Sequence, residues 1–146
     1  MQVRGVQNYV EASANTGGGS SASASDYQLV NQTLTITNKT GGRFRLGADG
    51  TYLGIAGSTI SIENANCQFY WKRDGVAIGT NKVLEITSEN SAGSSGLLLR
   101  IPPGLVDAYD NPGAGTFVYT LWVSNPSADF TVMWSSVRIN AYEMGT

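Results

Sequence analysis

The chain has 146 residues, a formal net charge of −2 and only 14% charged residues, which is the size of one ordinary domain with little charge on it. It contains no histidine and a single cysteine, Cys67, which excludes Ser-His-Asp and Cys-His triads, histidine metal sites, multi-cysteine zinc sites and internal disulfides. The nine Lys and Arg are scattered, so the concentrated basic patch of a nucleic-acid surface is missing.

Small polar residues take the place of charge: 57 of the 146 are Gly, Ser, Thr or Asn. These form helices poorly and turns well, so the composition predicts short strands joined by many turns. No apolar run approaches the ~18 residues of a membrane span. The opening MQVRGVQNYVEA lacks a signal-peptide core, so neither Sec export nor a membrane partner is expected.

Residues 1–11 read as an extended N-terminal arm. Val3, Val6 and Val10, with Tyr9 among them, are its anchoring candidates. Gly5 and the β-branched valines favour an extended segment over a helix, and such an arm can add a strand to another chain's sheet edge. Residues 12–25 (ASANTGGGSSASAS) have the composition of a flexible linker. A β-sandwich domain is expected over 26–146.

Within that body, Thr33–Thr37 (TLTIT), Thr59–Glu63 (TISIE) and Lys82–Thr87 (KVLEIT) alternate with period 2, one face toward a core and one toward water. The aromatic segments differ. Phe69 and Trp71 lie opposite Tyr70. Phe117, Tyr119, Leu121 and Val123 share one face of Thr116–Val123, while Val118 and Trp122 occupy the other. Thr131–Ala141, read as one strand, puts Val132 and Trp134 opposite Met133, Val137 and Ile139. A strand apolar on both faces is normally buried on both, whereas a lone sandwich has one inner face. The second face, with Tyr70, Val118, Trp122 and Trp134, is therefore expected to meet further copies of the chain. Turn signals recur roughly every ten residues, as in sandwiches and barrels. Among them are Gly41-Gly42, Asp74-Gly75, Ser94-Ser95-Gly96, Asn111-Pro112-Gly113 and Asn125-Pro126. Asp74-Gly75 is a tight-hairpin signal.

Chemistry-bearing residues are sparse. Asp107 and Asp110 could offer oxygen ligands to calcium, but Asp and Asn in such a loop more often bond their own backbone. Arg43 and Arg45 share one strand face, either solvated or open to a carboxylate, a sugar or an acidic partner. Tyr70, Trp71, Trp122 and Trp134 suit a sugar platform less well than a core or interface. Asn31 and Asn38 head glycosylation sequons, which without a signal peptide read as chance matches, and Cys67 reads as a small buried thiol. The eleven acids form no glycosidase pair.

Three segments carry a resemblance. FYWKRDGVAIGT (Phe69–Thr80) is similar to a strand pair of bacteriophage fibre and decoration proteins, an apolar strand ending in Arg-Asp-Gly followed by Ile-Gly. DAYDNPGAGTFVYTLWV (Asp107–Val123) resembles the Asp-x-Pro-Gly-Ala-Gly-Thr-x-x-Tyr-x-Leu element of the same group, departing in Asn111 before Pro112. VRINAYEM (Val137–Met144) fits its closing strand, although the Trp-rich finish is unusual. The resemblance spans about residues 30–144. It implies a jelly-roll related to the tumour-necrosis-factor fold, usually a homotrimer, located in the virion and made in the bacterial host cytoplasm. The expected function is then a head decoration (cement) protein of a tailed phage, held on the major capsid protein by residues 1–25. The alternative is a tail-fibre or receptor-binding tip that recognises a host glycan. No catalysis, cofactor, metal or nucleic-acid partner is expected.

Overall fold

The computed structural model describes residues 6–11, 19–21, 25–29, 32–57, 65–86, 97–124 and 130–144. The expectations for Val3, Asn31, Thr59–Glu63, most of 12–25 and the turns at 94–96 and 125–126 fall outside these residues. The described chain is all-β and every strand pairing is antiparallel; no helix there is long and apolar enough to cross a membrane.

Among the described residues, thirteen strands build three sheets. Sheet I contains β1 (Val6–Glu11), β13 (Arg138–Met144), β5 (Arg43–Asp49) and β10 (Ala108–Asp110), in that order. Sheet II contains β3 (Tyr27–Gln28), β11 (Gly115–Ser124), β7 (Ala65–Arg73) and β8 (Val76–Ile86); β4 (Leu34–Asn38) also pairs with β11. Sheet III contains β2 (Gly19–Ser21), β12 (Phe130–Ser135), β6 (Tyr52–Gly57) and β9 (Leu97–Ile101). A short 3-10 turn, Pro103–Val106, precedes β10.

Sheets I and III are one bent layer. The chain passes from β5 to β6 across Gly50 and from β12 to β13 across Ser136. The paired residues Asp49–Arg138 and Tyr52–Ser135 flank the bend. Gly50 adopts φ +137° and Ser136 φ +53°. A Cβ at Gly50 would sit 2.3 Å from the Ser136 carbonyl oxygen, so the corner closes only on a residue without one. Sheet II packs against this layer. Phe44 of β5 meets Tyr119 of β11 edge-on, 5.7 Å between ring centroids. One hydrophobic cluster draws on all three sheets, including Leu34, Leu46, Leu53, Phe69, Trp71, Leu121, Val132 and Ile139.

The alternation expected from the sequence holds in β4, where Leu34 and Ile36 are buried and Thr35 and Thr37 exposed; in β11 the face of Phe117, Tyr119, Leu121 and Val123 turns inward, whereas Val118 and Trp122, expected to be covered as well, are exposed and half-buried. Asp74 and Gly75 form the expected hairpin turn between β7 and β8, with φ +48° and +84°, as a type I′ turn requires.

Two expectations are corrected. Thr131–Ala141 is two strands rather than one. The bend at Ser136 resets the parity, so Val132, Val137, Ile139 and Ala141 all enter the core, and Trp134 packs against that core too. The apparent two-sidedness of this segment came from reading through a bend. Residues 6–11 form β1, which adds to the edge of its own sheet rather than to another chain's: it pairs with β13, and Val10 packs on the core. Residues 19–21 of the Gly/Ser segment likewise pair with β12, since edge pairing uses backbone alone.

Candidate functional site

On the outer face of sheet II, Tyr70 and Trp122 are cross-strand neighbours. Tyr70 is only 6% exposed, its hydroxyl donating to Asp26 Oδ2 at 2.5 Å. Burial, and then this contact, raise the phenol pKa. Lys72 lies across both rings, its Nζ 3.4 Å from the Trp122 centroid and 5.8 Å from that of Tyr70, and the Trp122 indole donates to Thr120 Oγ1 at 2.9 Å. The chain itself therefore covers much of the face expected to need a sister copy. Of the four proposed interface residues, Tyr70 and Trp134 are taken up internally, Trp122 is half-buried, and Val118 stays 36% exposed.

At the end of the sandwich, residues far apart in sequence lock together. Arg73 at the end of β7 donates to both carboxylate oxygens of Asp110, at 3.0 and 2.8 Å. The buried Tyr119 hydroxyl donates to Asp110 Oδ2 at 2.7 Å; burial first and Asp110 second raise its pKa. Asp74 accepts from the Val118 amide at 2.9 Å and donates its own N–H to the Val118 carbonyl at 2.8 Å. Nearby, Asn38 is 2% exposed and donates to the carbonyls of Gly42 and Gly113, both at 2.7 Å. Its amide is thus committed to folding, which removes it as a glycan acceptor. Glu143, fully buried, accepts at Oε1 from the amides of Lys39 and Thr40 and from the Thr40 hydroxyl, and its Oε2 has no partner among the described residues.

The outer face of sheet I is polar. One row across its strands reads Tyr109, Arg45, Tyr142, Tyr9. Tyr9 stacks beside Tyr142 with centroids 4.6 Å apart and donates its hydroxyl to Glu11; that bond is the chief cause of its raised pKa. Arg45 pairs with Asp107, and Arg138 pairs with Glu11 at 2.6 Å and Asp49 at 3.5 Å. Asp107 and Asp110 are thus each held by an arginine, and no three Asp, Glu, Cys or His side chains converge on a metal-sized site among the described residues. The anchoring candidates Tyr9 and Val10 are engaged by their own chain, and Val6 pairs in β1 opposite Met144. Gly47, Asn140 and Tyr142 were not singled out from the sequence. The usable signal was Gly47, an isolated glycine interrupting the alternation of RFRLGAD.

No protein-family profile matches this chain, and no curated protein matches it. Among solved structures, the chain is similar to one in the structure of infectious bursal disease virus Gt strain, at 12% identity and a TM-score of 0.25. The match covers 95% of this chain and 38% of that one. At that score the likeness is no guide to function.

Proposed function

We propose that this chain is a structural module of a virus particle, a jelly-roll protein of the tailed-phage type that assembles as a trimer and decorates the head on the major capsid protein. The locked corner carries the reading. The two segments that resemble phage decoration and fibre proteins supply its two halves, Arg73 and Asp74 from one, Asp110, Val118 and Tyr119 from the other. Their polar residues bond to one another and hold the sandwich shut, as suits a scaffold motif. Remaining apolar surface supports association: Val76, Val83 and Leu105 are 68%, 56% and 57% exposed. Val83 and Leu105 line an apolar hollow of about 270 Å³ with Phe69, Ile101 and Val106, beside the terminal strand β8. Apolar surface at a sheet edge suits contact with sister chains. The association surface is thus drawn along β8 with Val118, in place of Tyr70 and Trp134.

Sedimentation of the purified chain at micromolar concentration tests this. The expected mass is three times 15.4 kDa, and Val83→Asp should yield a folded monomer. A monomeric wild type overturns the trimer. Copy number in purified particles separates the two phage roles: many copies for a head decoration protein, few for a receptor-binding tip. The second reading, a glycan-recognising tip, is favoured by the tyrosine row on sheet I.

A further inference from the structure

The outer face of sheet I holds a hollow that the scaffold reading leaves unused. Its floor is Gly47. A Cβ there would lie 2.9 Å from Asn140 Oδ1 and 3.0 Å from Asp107 Oδ1, so two side-chain oxygens from different segments converge over bare backbone. Arg45, Asp49, Asp107, Asn140 and Tyr142 wall a volume of about 180 Å³. One water needs only ~10–15 Å³, so the space holds more than a single water.

Its chemistry narrows the ligand. Every carboxylate at the hollow has a guanidinium partner: Asp107 has Arg45, and Asp49 has Arg138. That balance gives no preference to a phosphate, a carboxylated ligand or a metal ion. The walls instead mix donors with acceptors: guanidinium and amide N–H groups, a phenol, and carboxylate and amide oxygens. Vicinal hydroxyls, each a donor and an acceptor, complement such a set. Tyr142 adds an aromatic face, extended by Tyr9 at 4.6 Å, and Tyr109 flanks Arg45 on the other side. Aromatic faces suit the C–H side of a sugar ring.

We propose that this hollow binds a neutral pyranose of a surface glycan, its hydroxyls held by Asp107, Asn140 and Arg45 and its C–H face against Tyr142. The proposal deepens the glycan-tip reading by naming the site and the ligand class. The test is saturation-transfer NMR and titration of the full chain with neutral oligosaccharides of glucose, galactose, mannose and N-acetylglucosamine. At least one is expected to bind, and Gly47→Ala and Tyr142→Ala are each expected to weaken it tenfold or more. Asp107→Asn, which keeps the shape, serves as a further variant, with circular dichroism confirming each fold. Binding that survives all three substitutions overturns this site and leaves the glycan reading standing. No binding to any of these sugars overturns both.

Discussion

On sheet II, Tyr70 and Trp122 stand side by side on neighbouring strands, and the chain closes over them: Asp26 takes the Tyr70 hydroxyl and Lys72 lies across both rings. On sheet I, Tyr142 and Tyr9 stand side by side in the same way, yet Tyr9 remains 43% exposed. Aromatic pairs on an outer face are thus no sign of a partner by themselves. What matters is whether the chain supplies the cover. An acidic residue ahead of β3 and a long basic stem on β7 cover one face; the other leaves Tyr9 exposed beside Tyr142.

The largest effect comes from breaking the bend on which both faces depend. Gly50→Val places a β-branched side chain at φ +137°, with its Cβ 2.3 Å from backbone that cannot move aside. Sheets I and III should then fail to form one layer, and no cooperative unfolding transition should be measurable. Gly75→Ala is the control. Its φ of +84° is also strained, but open space surrounds it, so a loss of only about 1 kcal/mol in urea unfolding is expected.

Next comes Asp110→Ala. It leaves the Arg73 guanidinium and the buried Tyr119 hydroxyl without their acceptor. A loss of about 2–3 kcal/mol by chemical denaturation is expected. A loss below about 0.5 kcal/mol, the scale of an exposed ion pair, would show the corner to be ornamental and remove the observation on which the scaffold reading stands.

How much of this was legible in the sequence follows from the range of each interaction. Alternation in β4, the shared face of Phe117, Tyr119, Leu121 and Val123 in β11, and the Asp74-Gly75 turn depend on neighbours within a few residues, and they read correctly. The reset of parity at Ser136 did not, because a serine at φ +53° is imposed by the opposite strand at Gly50. The cover of Tyr70 by Asp26 joins residues 44 apart, and the hollow joins Gly47 to Asp107 and Asn140. Composition cannot announce contacts of that span, which is why the outer face of sheet II looked unpartnered.

Alkaline pH gives a graded effect of intermediate size on the buried side of sheet II. Burial pushes the Cys67 thiol up to about 12, whereas an unfolded thiol titrates near ~8.5. The unfolded chain therefore loses its proton first. Stability is full below about 8.5 and falls as pH rises toward 12, by at most ~1.4 kcal/mol per pH unit for this one group. Tyr70 and Tyr119, also raised, steepen the fall above ~10. Cys67→Ala should flatten urea midpoints between about pH 8.5 and 10 and leave the steeper tyrosine segment in place.

The smallest effect in energy bears most directly on the contrast between the faces. Lys72→Ala removes a cation over an indole, about 0.5–1 kcal/mol at a site of this kind. The sharper readout is accessibility. Trp71 is 2% exposed and Trp134 packs on the core, so added acrylamide quenching would arise from Trp122. Lys72→Ala should raise that quenching and promote self-association through the uncovered face, whereas Lys72→Met, which keeps the aliphatic stem, should do neither strongly. Tyr9→Ala, on the open face, should leave tryptophan quenching unchanged. If Lys72→Ala also leaves it unchanged, the lysine is no cover, Trp122 is already open to solvent, and the outer face of sheet II returns to the surfaces available for sister chains.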